Sequence, residues 1–506
     1  MSYNFPGSLD AGSNLNNSRA TGDTIPVTDH NDLASALIAV ETKLGYSAST
    51  PATSGYVLTA LGSGQSSWQA PTGGSGGDAF INVKNSPYNA VGNGSNDDTS
   101  AIQAAINAAL ATNQGTGTVY FPAGTYKITA ALNCTSATGT SGGYGVILRG
   151  DGHRATRILK NSSFGPAVTY NGNGGPSGNN TQFGGLIDIT IDGNASTGGL
   201  LQTNSAQQMF FRGCSFVGSN DWAWDLHTTQ DSYFSQVTFN NCGSTTAPVI
   251  KIYGDANGTS NMLWFEQIRI ETFLNGAIWI TRGAGATGGG NNGFFFHQCK
   301  FENYPTVNGD FCVFDSYTQQ LYMSQIFFSA GLFNSGYSTA FNAITFGSGG
   351  ASPGFNQASF RDIFMNTGPT SGLGNSVINI NSGGNLSGTI NIDNVFCDAT
   401  LASGVVNVNN AAGADVVIGQ LGGANTLVAG DGTAHRANAG TGTLSAGTVT
   451  ISASRVLAGS RIILTPTSKS ANSGILSVGT ITGGTGFVVN STNASDANTF
   501  NYEILN

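Results

Sequence analysis

Seven times between Phe211 and Cys397 the chain repeats one pattern: a large apolar residue, two polar ones, a small or branched apolar one, any residue, then another apolar one. The copies begin at Phe211, Phe234, Phe265, Phe296, Met323, Phe360 and Ile392, 23 to 37 residues apart, and a weaker copy begins at Leu186. A unit this short buries its apolar residues only by stacking on its neighbours, so the repeat predicts an all-β solenoid in which each copy is one turn of a coil. Stacking places equivalent positions in vertical ladders, which makes the direction of each side chain readable from the pattern.

Positions one, four and six of the repeat point inward, giving a core stack of Phe211, Phe234, Phe265, Phe296, Met323 and Phe360. Position three reads Gly213, Gln236, Gln267, Gln298, Gln325, Asp362 and Asn394. This is an amide ladder at a corner, with rungs about 4.8 Å apart, and its role is structural. Before position one stand Phe210, Tyr233, Trp264, Phe295 and Tyr322, which alternation turns outward. Such a row is too apolar to be left in water. It fits against another chain, beneath a loop, or under sugar rings.

Charge is scarce, at 9% of residues, so its concentration on two coils stands out. Position two carries Glu266 and His297, position five Arg269 and Lys300, and the residue after position six Glu271 and Glu302. Two carboxylates about 5 Å apart match the separation used in retaining glycoside hydrolysis, one as acid and one as nucleophile. Glu271 and Glu302, with Glu266 beside them, are the candidate catalytic residues. Trp264, Tyr233, Phe295, Tyr322, His297, Arg269 and Lys300 are the candidate substrate-binding residues. Cross-rung pairs such as Arg269–Glu302 or Lys300–Glu271 explain the same cluster as a neutralised surface. Asp188, Asp192, Asp221 and Asp225, the last two flanking Trp222 and Trp224, rank lower, and His153 and His227 have no evident partner in the sequence.

Composition narrows the setting. A net charge of −9 provides no basic footprint for nucleic acid, and no stretch approaches the roughly 20 apolar residues of a membrane span, so neither partner is expected. The first residues lack the basic-then-apolar pattern of a signal peptide, which argues against classical secretion. Of six cysteines, Cys214, Cys299 and Cys397 fall on core positions of the repeat, so free thiols and assembly in a reducing cytoplasm are expected. There is no spaced Cys/His set, hence no expected metal or cofactor.

Outside the coil, residues 29–45 predict a helix over 30–44 with Leu33, Leu37, Val40 and Leu44 in a heptad-like stripe, packed on its own domain or joining identical chains. A GGSGG run at 73–77 marks a linker over 73–79. Asp97 or Asp98 caps an Ala-rich helix with Ile102, Ile106 and Leu110 on one face, a lid for the first coil. From 436 to 506 alternating apolar and polar residues predict half-buried strands.

The stretch containing Val91-Gly92, Gly94, Asp97-Asp98-Thr99, Ala101-Ile102-Gln103-Ala104-Ala105-Ile106 and Tyr120-Phe121-Pro122-Ala123-Gly124-Thr125-Tyr126 resembles the opening of the pectate-lyase-like superfamily found in phage tailspikes. The resemblance implies a right-handed parallel β-helix over 80–425. Residues 1–72 resemble a virion-attachment segment with a tail-fibre-like linker at 55–69, and 436–506 resembles a small β-sandwich of phage appendages. Together these imply a homotrimeric appendage, on a tail or elsewhere on the virion, joined through its N-terminal segment to a virion attachment protein. The expected function is recognition of a host surface polysaccharide. The alternatives are a polysaccharide depolymerase of glycosidase or lyase type and a purely structural spike.

Overall fold

The computed structural model describes the strands within 57–69 and, between 80 and 505, the coils and terminal sheets apart from several segments, of which the longest are 136–142, 173–179, 331–340, 349–355, 367–373 and 430–438. The expected helix at 30–44 and the linker at 73–79 lie outside the described residues. Within 57–69, Val57–Gly62 and Gln65–Gln69 pair as an antiparallel hairpin.

From Phe80 onward, 32 strands join in one continuous set of parallel pairings. They form the predicted β-helix: each coil contributes one strand to each of three sheets. In the two central coils the first sheet holds Asn261–Glu266 and Asn292–His297, the second Arg269–Phe273 and Lys300–Asn303, and the third Ile278–Arg282 and Cys312–Asp315. The register is that of the repeat: Phe265 faces Phe296, Ile270 faces Phe301 and Ile280 faces Phe314 on successive rungs.

The inward positions build the core. Phe211, Phe234, Phe265 and Phe296 stack with ring centroids 5.1, 4.7 and 4.6 Å apart. Trp224 of the third sheet closes against Phe234 and Phe216, each at 5.0 Å. All six cysteines are free and buried, Cys214, Cys299 and Cys397 at the core positions the repeat predicts, and burial pushes the Cys214 and Cys299 thiols up to about 12.

Position three forms the corner between the first and second sheets. Gln236, Gln267, Gln298, Gln325, Asp362 and Asn394 all adopt left-handed backbone, with φ of 54°, 55°, 53°, 55°, 55° and 51°. Residues with a Cβ pay for that conformation. The amide ladder offsets the cost: Nε2 of Gln236, Gln267 and Gln298 each donates to Oε1 of the next glutamine, at 3.2, 3.2 and 2.9 Å. Asn394 Nδ2 donates to Asp362 Oδ1 at 2.6 Å.

The helix Thr99–Ala111 buries Ile102, Ala105, Ile106 and Ala109, while Leu110 is half-buried. Its capping is divided. The Asp98 carbonyl accepts the first helical bond from the Ile102 amide, but its carboxylate turns back to the amides of Val91 and Gly92. Asp97 Oδ1 accepts from the Thr99 amide at 3.0 Å. Gln103 binds both the amide and the carbonyl of Asn133, tying the helix to an early strand.

The C-terminal segment forms two three-stranded antiparallel sheets around Leu444, Ile451, Val456, Phe487, Val489, Phe500 and Ile504. Between Ala439 and Leu505 the alternating pattern is thus a small β-sandwich.

Candidate functional site

Phe210, Tyr233, Trp264, Phe295 and Tyr322 occupy one register column on the outward face of the first sheet, all half-buried. The rings lie nearly parallel: Phe210–Tyr233 at 6.0 Å, Trp264–Phe295 at 5.5 Å and Phe295–Tyr322 at 5.1 Å. Stacking along the column leaves ring edges outermost. Glu266 shares this face and accepts a hydrogen bond from the Tyr233 hydroxyl. His297, in register with Glu266, has Nδ1 2.9 Å from the Ser324 hydroxyl.

The other charges lie around the corner. Arg269, Lys300, Glu271 and Glu302 point outward from the second sheet, so the left-handed turn at position three divides the charge cluster expected on one face. Glu266 and His297 are on one side, and four charges are on the other. Glu271 and Glu302 do stand in register on adjacent rungs. Pairing within a rung dominates over the cross-rung pairs that the sequence suggested: Arg269 pairs with Glu271 and Lys300 with Glu302, and Lys300 Nζ is also 3.8 Å from Glu271. The reason is alternation: residues two apart on a strand share a face.

Glu271 and Arg269 also border a groove of about 620 Å³ that follows the second sheet across several coils. Its floor is the column Thr190, Ser215 and Thr238, and its opposite end is bordered by His153, Arg154 and Arg157. Arg157 and Arg269 continue that same column at its two ends. Arg157 is 3.1 Å from Asp192, so Asp192 holds a guanidinium in place. The groove is open, polar and long, a shape that admits a linear chain. Asp188 lies in a second hollow of about 400 Å³ with Phe80, Tyr120, Arg149 and Asp151. Asp221 accepts the Trp222 amide at 2.9 Å, the ordinary use of an aspartate in a turn.

Two further groupings lie outside the expected site, the first readable at position five of the repeat and the second not. Beyond Lys300 the outward column of the second sheet becomes aromatic: Phe327, Phe364 and Phe396 stack at 5.3 and 5.2 Å. On the third sheet, His227 acquires a partner, with Nε2 2.7 Å from Asp255 Oδ2 and its ring stacked 4.4 Å from Tyr253. Lys251 Nζ lies 4.5 Å above the same tyrosine ring. Asp225, in register with Lys251, is buried, and burial raises its carboxyl above the ordinary carboxylate range despite the nearby lysine. Its Oδ2 accepts from Gln202 at 3.3 Å. The signal for this cluster was the alternation Trp224-Asp225-Leu226-His227, which turns both polar residues to one face, but its other half comes from a coil later in the chain.

Residues 80–316 match the family model described as rhamnogalacturonase A/epimerase, pectate lyase-like, and residues 436–505 match the C-terminal domain of K1 capsule-specific polysaccharide lyase. The protein therefore combines a pectate-lyase-like right-handed β-helix with a terminal domain of the capsule-lyase type. A stretch of 122 residues is 38% identical to mannuronan C5-epimerase AlgE1 of Azotobacter vinelandii, and one of 114 residues is 38% identical to AlgE3 of the same organism. These matches cover 23% and 22% of this chain but only 8% and 6% of the length of those relatives. The solved structure of ORF18 from Geobacillus virus E2 is similar in fold, with a TM-score of 0.50 and 16% identity over 89% of this chain and 83% of that one.

Proposed function

We propose that this protein is a depolymerase of bacterial capsular polysaccharide, carried as a homotrimeric appendage on a phage virion and attached through its N-terminal segment. The observation that carries the reading is the open groove along the second sheet, bordered by Glu271, on a β-helix whose chain continues into a terminal domain matching that of a capsule-specific lyase. The attachment-like sequence at 1–72 supports the place on the virion. The groove follows the stacking direction, so a linear polysaccharide laid in it meets successive coils.

Glu271 and Glu302 supply the acid–base chemistry in this reading. Their strands are one rung apart, about 4.8 Å, close to the separation of retaining glycosidases. One carboxyl group protonates the leaving glycosidic oxygen while the other attacks the anomeric carbon. Water then releases the sugar. Arg269 and Lys300 hold the two glutamates in place, and the aromatic row of the first sheet offers a second contact for sugar or for a sister subunit.

A second reading, recognition without cleavage, draws on the fact that both glutamates already sit in ion pairs. Incubation of purified protein with host capsule decides between the two. New reducing ends establish a depolymerase, and ultraviolet absorbance of an unsaturated product would assign elimination in place of hydrolysis. Binding with neither signal overturns cleavage in favour of recognition.

A further inference from the structure

We infer that the outward face of the first sheet is the surface through which copies of this chain associate, with the aromatic row nearest the symmetry axis. The inference rests on the reading of the protein as a homotrimer, and it adds which face meets the partner copies. The row is the middle of a longer column. Register carries it from Phe80 through Ile147 to Phe210, along the rings to Tyr322 and on to Val417, twelve residues on successive rungs. None of the twelve is charged. By contrast, an outward column of the second sheet holds Arg157, Arg269 and Lys300, and one of the third sheet holds Asp225 and Lys251.

Symmetry gives that difference a meaning. In a closed ring of copies related by an axis along the stack, each residue stands at the height of its own equivalents, so a charge near the axis meets like charges. A neutral column escapes that repulsion. The neighbouring outward column of the same sheet carries the charges: Arg149, Arg212, Glu266, Arg361 and Asp393. An apolar centre with a charged rim is the anatomy of a specific interface. Twelve rungs span about 53 Å, and at a width of roughly 15 Å the strip offers about 800 Å² per subunit, the share a specific interface needs. At one end Phe80 is 46% exposed. Tyr233 donates to Glu266, whereas the Trp264 indole N–H and the Tyr322 hydroxyl have no partner among the described residues. Such tips find partners when the rings are covered across an interface.

The test uses the full chain, with sedimentation setting the oligomeric state of the parent protein. Trp264→Glu places one carboxylate per copy near the axis and should raise the concentration at which copies separate by on the order of a hundredfold. Ser359→Cys is a nearly isosteric change in the same column, and because the six native cysteines are buried it supplies the thiol that a short bismaleimide reaches. Joined copies from Ser359→Cys, and none from Thr281→Cys on the third sheet, support the inference. If Trp264→Glu fails to fold, this cysteine pair decides alone. A trimer that survives Trp264→Glu, or that joins through Thr281→Cys only, overturns the inference and leaves the homotrimer standing. A dimer separated by Trp264→Glu retires the trimer and keeps the interface, and a monomeric parent protein removes both. Weaker polysaccharide binding by Trp264→Glu at an unchanged oligomeric state gives the row to sugar. A Ser359→Cys thiol shielded from maleimide even after the copies are diluted apart gives it to a covering loop. Either result overturns the inference.

Discussion

Glu271 and Glu302 face each other on adjacent rungs of the second sheet, and Lys300 serves both, paired with Glu302 and 3.8 Å from Glu271. Like charges in register repel, so the shared ammonium is what allows the two carboxylates to stand together.

Replacing Glu271 and Glu302 by Gln together removes both candidate acid–base groups while preserving shape. Cleavage of capsular polysaccharide should disappear, and light scattering should show the oligomer intact. Residual cleavage in the double variant would remove these residues from the mechanism. Lys300→Met should destabilise the fold by about 1 kcal/mol, a small figure because the pair is partly solvated. Adding Glu271→Gln should restore most of it.

The corner glutamines make a separate prediction. Gln267 has φ of 55° and exchanges amide bonds with Gln236 and Gln298. Gln267→Val removes the ladder and adds a β-branched side chain in left-handed backbone, which should cost about 2 kcal/mol. Gln267→Gly loses the same amide bonds but relieves the backbone, so its melting temperature should lie clearly above that of the valine variant. Equal losses would mean that backbone conformation plays no part at this position.

Lys160 is fully buried, and its ammonium donates to the carbonyls of Phe164, Thr197 and Gly199 at 3.0, 2.6 and 3.0 Å. It pins two loops at the start of the helix. Lys160→Met leaves three carbonyls without their partner and should destabilise by about 3 kcal/mol. Limited proteolysis should then cut first near residues 161–165 or 197–199. A melting temperature equal to wild type would show that water replaces the ammonium without cost.

Burial raises the Asp315 carboxyl to about 6. A folded-state value above the unfolded one means that the native state binds the proton more tightly. Its stabilising share is therefore present below about pH 4 and is lost as pH rises through about 6. Asp315→Asn should flatten that part of the stability–pH profile. An unchanged slope between pH 4 and 6 would show that this carboxyl is not the group responsible.

The β-helix was legible because its repeat carries its own geometry. Alternation turned Phe234 inward and Tyr233 outward, and stacking put Phe265 beneath Phe296, as the register shows. The same logic read Cys214 and Cys299 as core residues and the glutamines as a ladder. It did not foresee the left-handed backbone at position three, because glutamine is not a residue that favours it. The conformation is stabilised by contacts between coils, and no single copy contains them.

The candidate site divides along the same line. The amino-acid sequence determines which residues share a column, since parallel register converts repeat position into height: Trp264 above Tyr233, Glu302 above Glu271. It cannot say which columns meet across a corner or what lies opposite a column, because those depend on the direction in which each coil turns. Folding put Glu266 and Glu271 on different faces, brought His227 to Asp255, and set Arg154 on the rim of the same groove as Arg269. Variable loops between copies make those separations aperiodic in the sequence, so only the closed coil brings them together.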